Sequence, residues 1–174
     1  MIRLASQLPG EPINEPKYRF RLTREISSGP GLTVGFVMLN PSTADDNVDD
    51  PTIRRCIGFA ETWGYKRLHV TNLWALRATS PDDLVAAGSD AFHPANPEAV
   101  EGMVLESDAV VLAWGNNVER MTRVGHEALD VEAMCEYWGT YPMRIGSLTK
   151  QGHPRHPLYL KKSTLRQQMW PVLS

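Results

Sequence analysis

Leu32 to Leu39 (LTVGFVML) is a nearly continuous apolar run, and it limits the chain to few architectures. A strand with one wet face alternates apolar and polar residues, whereas an unbroken run suits a strand covered on both faces, as in a parallel sheet. Lys66 to Asn72 (KRLHVTN) and Ala109 to Trp114 (AVVLAW) read as two further strands, the second buried in the same way. Helical patterns separate the three. Asp50 suits an N-cap and Pro51 the first helical position; Ile53, Ile57, Ala60 and Trp63 keep helical spacing, and Gly64 suits the C-terminal cap. Ser80-Pro81-Asp82-Asp83 opens a short helix, and Asn96-Pro97 opens another that runs to about Ser107. Glu119 to Trp138 reads as helical with a break at Gly125, and Met143 to Leu148 as a last short strand.

The ends are less patterned. Met1 to Lys17 reads as a loose lead-in, Tyr18 to Ile26 (YRFRLTREI) as an imperfectly alternating strand, Ser27 to Gly31 as a turn, and Ser163 to Met169 as a helical tail. Strands alternating with helices predict an α/β domain, a three-layer α/β/α sandwich with a mostly parallel central sheet. A length of 174 residues predicts one domain, and 42% hydrophobic with 22% charged residues supports a core and argues against disorder.

No apolar run approaches bilayer thickness, and the first residues lack the apolar stretch of a secretory signal, so a cytoplasmic monomer with no membrane partner is expected. Cys56 and Cys135 are too few for a four-cysteine metal or iron–sulfur site and read as buried filler. The P-loop, GxGxxG, HExxH and GxSxG patterns are missing, which removes motif support for ATP hydrolysis, Rossmann-type dinucleotide binding, zincin proteolysis and α/β-hydrolase chemistry; no cofactor is expected. Net charge is −2, but after Glu136 no acidic residue follows while Arg144, Lys150, Arg155, Lys161, Lys162 and Arg166 do. That segment suits phosphate contacts or an ordinary solvated surface equally.

In parallel sheets ligands sit at the carboxyl ends of strands. Here those ends are Asn40-Pro41-Ser42, Asn72-Leu73-Trp74 and Trp114-Gly115-Asn116-Asn117, joined by the late loop Gly152-His153-Pro154-Arg155-His156-Pro157. Each Asn alone is explained as well by turn capping. Together they bring amides, each both donor and acceptor, to one edge, which is what reading a nucleobase requires. Pro41 biases Asn40 towards an extended conformation. The late loop either presents imidazole to a pocket or is a rigid surface loop. Trp74, beyond its strand, is a candidate for stacking on a base, while the other tryptophans, Trp63, Trp114, Trp138 and Trp170, read as core. Asp45, Asp46, Asp49 and Asp50 do not follow the EF-hand spacing; helix capping suits Asp49 and Asp50, no metal is expected, and an Asp here can also orient a water.

The runs VGFVMLNPSTADDNVDDPTIRRCIGFAETWGY, HVTNLWALRATSPDDL and GHPRHPLYL closely resemble the domain of unknown function 1643 family of bacteria and phages, over roughly Tyr18 to Lys162. More distantly, four short motifs resemble the uracil-DNA glycosylase superfamily. FVMLNPS is similar to its Asn-Pro first motif, VTNLWALRATSP, with Asn72, Arg77 and Pro81, to the Thr-Asn strand end of its iron–sulfur branch, VVLAWG to its apolar strand ending in glycine, and GHPRHP to its late His-Pro motif. The chain departs from that pattern in having no Asp immediately before Pro41, no iron–sulfur cysteines, and Arg155 and His156 where small residues are usual. The resemblance implies hydrolysis of an N-glycosidic bond in DNA or a nucleotide. Asn40 would position water and His153 stabilise the leaving base. Asn72 would read its edge and Arg155 hold a phosphate, with Pro41, Ser42, Trp74, Arg77, Gly115, Asn116, Pro154 and His156 also lining the substrate site. The alternatives to this leading reading are an inactive nucleic-acid or nucleotide binding module and a phage or bacterial base-modification enzyme.

Overall fold

The computed structural model describes residues 3–6, 17–45, 47–123 and 128–169. Asp46, Gly125 and Trp170 lie outside the described residues, and so do the expectations attached to them. The strands are β1 (Arg3–Ser6), β2 (Arg21–Glu25), β3 (Thr33–Met38), β4 (Arg67–Asn72), β5 (Ala109–Leu112), β6 (Met143–Ile145) and β7 (Arg166–Gln168). The helices are α1 (Pro51–Thr62), α2 (Pro81–Ala86), α3 (Asn96–Leu105), α4 (Val118–Arg123) and α5 (Val131–Tyr137).

Every residue of β3 is buried, as its unbroken apolar run requires. Its side chains alternate between two cores. Val34, Phe36 and Met38 pack with Ile53, Cys56, Phe59 and Ala60 of α1, whereas Val37 packs with Val100, Met103 and Val104 of α3. Fully burying each such side chain contributes about 1.5–3 kcal/mol. Gly35 permits the closest approach, since a Cβ there would lie 2.0 Å from Met103 Sδ. The start of α1 follows its sequence signals: Asp50 Oδ1 accepts from Ile53 N at 2.8 Å, with Pro51 next. Ser80 caps α2 in the same way.

The sheet order is β1-β2-β4-β3-β5-β6-β7. Strands β4, β3, β5 and β6 run parallel to one another. The pairings β1–β2, β2–β4 and β6–β7 are antiparallel, so the sheet is mixed rather than mostly parallel. Strands β2 and β7 run opposite to the central four, and each flank ends in an outer strand that apolar patterning does not reveal. Arg3–Ser6 lies in the expected lead-in but pairs with β2. Arg166–Gln168 lies in the expected helical tail but pairs with β6; its residues are all exposed, and their helix propensity yields to a free sheet edge. The helix expected over Glu119 to Trp138 is two helices, because Asp130 starts α5 by accepting from Ala133 N at 2.9 Å. No helix among the described residues is long and apolar enough to cross a membrane.

Candidate functional site

The carboxyl ends of β3, β4 and β5 open on one edge of the sheet. Below that edge lies a cavity of about 200 Å³ whose lining includes Arg19, Asn40, Ser42, Asp50, Asn72 and His156. A second cavity of about 410 Å³, lined by Gly115, Asn116, Thr149 and Arg155, shares Trp114, Asn117, His156 and Tyr159 with the first. The two form one cleft, graded from Tyr159 at the rim, 84% exposed, to Arg19, 2% exposed.

Asn40 is fixed by its loop. Its Nδ2 donates to Pro41 O at 2.9 Å and to Ala78 O at 2.8 Å, and Ala78 N returns a bond to Pro41 O at 3.0 Å. The clip ties the β3 and β4 loops together and leaves Oδ1 free of any described hydrogen bond. Pro41 is buried and serves the clip. Asn72 is 2% exposed, and its buried Nδ2 has no hydrogen-bond partner among the described residues. Its backbone is held by Asn96, whose Nδ2 donates to Asn72 O at 3.0 Å and Leu73 O at 3.1 Å.

The two histidines of the late loop part company. His156 lines both cavities. Its Nδ1 accepts from Leu158 N at 3.3 Å, so the ring proton sits on Nε2, and burial pushes its pKa down to about 4. At neutral pH this is an uncharged imidazole with one N–H to donate. His153 lines neither cavity; its Nε2 faces Glu119 Oε1 at 3.3 Å, and its backbone is clasped by Thr149. The cause is Pro154, which is buried and accepts from Gly115 N at 2.9 Å, pinning the loop so that the residue two beyond it enters the cleft. Gly115 has φ 74°.

Other expected site residues divide likewise. Ser42 lines the inner cavity. Asn116 lines the outer one and donates to Gln151 Oε1 at 2.9 Å. Arg155 is exposed on the outer cavity, its Nε donating to Ser147 O at 2.9 Å. Trp74 is 1% exposed and packs in the core, so it offers no stacking face; the chain past β4 still pairs with Leu39, which turns this ring inward. The exposed ring in the cleft is that of Tyr159, 5.7 Å from the His156 ring. Arg77 is half-buried, donates to Thr43 O at 3.3 Å and lines neither cavity.

Two charged residues enter the cavity, Asp50 from the acidic cluster expected to cap a helix or orient a water, and Arg19, which the sequence does not single out. Asp50 does so while capping α1, because the helix begins at the mouth of the site. Arg19 does so because β2 is antiparallel to β4: the chain before β2 lies beside the chain after β4, with Arg19 N donating to Ala75 O at 3.0 Å. Its guanidinium donates to Ala44 O, and burial lowers its pKa to about 10.

The neighbouring acidic residues are structural. Asp49 pairs with buried Arg24 at 2.7 Å, and Asp45 Oδ1 accepts from Asn47 N and Val48 N at 2.8 Å each. Among the described residues no three His, Cys, Asp or Glu side chains gather as a metal set. Both cysteines are buried thiols, and burial raises the pKa of Cys135 to about 11.

No curated protein and no solved structure matches the chain. A family model described as Protein of unknown function (DUF1643) matches residues 19–158. That match spans most of the chain, which therefore belongs to the DUF1643 family.

Proposed function

We propose that the cleft binds a nucleobase, in DNA or in a nucleotide, and hydrolyses its N-glycosidic bond, with a layout akin to the uracil-DNA glycosylase superfamily. The observation that carries this reading is the neutral imidazole of His156 on the same small cavity as Asn40 and Asn72. In such a reaction the C1′–N bond breaks and its electron pair leaves with the base. A neutral Nε2–H is suited to donate to the developing negative charge, and one such donor contributes about 3–4 kcal/mol to barrier lowering by analogy with oxyanion holes. Water adds at C1′, held by Asn40 Oδ1, and passes its proton to the Asp50 carboxylate. Asn72 supplies the unpaired amide that reads the base edge. Arg155, at the outer cavity, holds a phosphate. Cores on both sheet faces are compatible with a three-layer arrangement.

His156 replaces His153 in this scheme because only His156 reaches the cavity. The test is base-release mass spectrometry on oligonucleotides and nucleotides bearing modified and unmodified bases. Release that disappears with Asn40→Ala supports hydrolysis; release that persists in that variant removes Asn40 from the mechanism, and no release from any substrate removes the reaction.

One observation favours a second reading, a binding module without turnover. The Asn40 amide is committed to the loop clip, as a purely architectural residue would be. Binding that is steeply salt-dependent and releases no base supports it.

A further inference from the structure

We infer that the inner cavity is an anion subsite built around Arg19, which takes a terminal carboxylate or phosphate monoester of a small ligand. The inference goes beyond N-glycosidic hydrolysis: it is a different occupancy of the cavity that the reading above gives to the base, made with the same Asn72 and His156 donors, and it stands even if no bond is cleaved. Arg19 is 2% exposed and lines the cavity, yet no described carboxylate lies within ion-pair distance of it. One guanidinium N–H is used by Ala44 O, and Nε is buried without a hydrogen-bond partner. A buried cation left unpaired is costly, and the cost is removed when a ligand supplies the counter-charge.

A second orphan points the same way. Asn72 Nδ2, also buried and unpartnered, belongs to the same cavity. Together with Nε2–H of His156 these groups make a donor-rich wall. The first turn of α1 adds Thr52 and Ile53 to the lining, so the positive end of a 12-residue helix faces the same space. Asp50 is the one carboxylate in the lining, with Oδ1 spent on Ile53 N; its charge and that of Asp45 act on Arg19 against those of Arg77 and Arg24, without forming an ion pair with it. Arg24 and Asp49 neutralise each other. A cavity of about 200 Å³ whose cation is almost wholly buried admits the end of a ligand, whereas an internal phosphodiester continues on both sides.

The test titrates the full chain with inorganic phosphate and, separately, with acetate, at constant ionic strength held by chloride. Trp114, which lines both cavities, reports by fluorescence, and calorimetry reports independently. Saturable binding of one probe is expected, and which probe binds distinguishes phosphate from carboxylate. Arg19→Gln should weaken it at least tenfold. Should that variant fail to fold, Ser42→Asp brings a carboxylate into the same cavity from a loop and should abolish binding, while Lys66→Ala, which lines neither cavity, should leave it unchanged. No saturable binding of either probe, or equal binding by the parent and Ser42→Asp, overturns the assignment.

Discussion

Gly115 and His156 sit so close that a Cβ on the glycine would lie 3.2 Å from the histidine Cβ. The glycine also holds φ 74°, a region that favours it over any other residue. Gly115→Ala is therefore expected to cost roughly 1–2 kcal/mol through backbone strain alone. It should also push His156 out of its place and weaken ligand binding. Urea denaturation of the variant measures the first effect and ligand titration the second; a variant as stable as the parent contradicts the close approach.

Burial depresses the pKa of His156 and of His69 to about 4 each. Unfolded histidine titrates near 6.5. As pH falls from about 6.5 to about 4, the unfolded chain takes up protons that the folded chain refuses, so stability is full above this window and declines within it. The loss is on the order of 3 kcal/mol per histidine at the acid end. His156→Gln should flatten about half of the decline seen by chemical denaturation between pH 7 and pH 4.5. An unchanged slope contradicts the burial of this ring.

Asn72 carries an unsatisfied donor in the absence of ligand. Asn72→Leu removes the donor at similar volume, so the variant should be as stable as the parent or gain up to about 2 kcal/mol. It should nevertheless lose ligand affinity at least tenfold. Loss of stability with retained affinity would show that the amide serves packing instead.

Asn40 separates two roles by two substitutions. Asn40→Ala removes the two side-chain bonds of the loop clip, leaving the backbone bond from Ala78 N to Pro41 O, and should cost about 1–3 kcal/mol. Asn40→Asp sets a carboxylate against two carbonyl oxygens, Pro41 O and Ala78 O, and should cost more at pH 7 than the alanine. Thermal unfolding of the pair decides the order.

What the sequence discloses depends on whether a feature is local. The β3 run and the α1 cap are set by their own residues, and both stand where their patterns predict. The edge strands β1 and β7 have no such pattern, since pairing to a sheet edge is a tertiary event. The direction of β2 matters most for the site. Had β2 run parallel to β4, Arg19 would lie at the opposite edge; reversed, it delivers a cation to the strand ends. The GHPRHP loop presents two histidines in like surroundings, each followed by proline. The bond of Gly115 N to Pro154 O and the clasp of the His153 backbone by Thr149 set which of them faces the cleft. Trp74 follows the same rule: its place past Asn72 suggests exposure, and continued pairing of that chain with Leu39 buries it.

Side-by-side base-release assays of the parent, His156→Phe and His153→Phe, on the substrate that the panel identifies, test the reaction and its donor at once. His156→Phe should slow release about 100- to 1,000-fold, the usual effect of deleting one oxyanion donor, and His153→Phe should stay within a few-fold of the parent. Absence of release from the parent on every substrate, or a His153→Phe defect as large as that of His156→Phe, contradicts hydrolysis assisted by the neutral imidazole in the cleft.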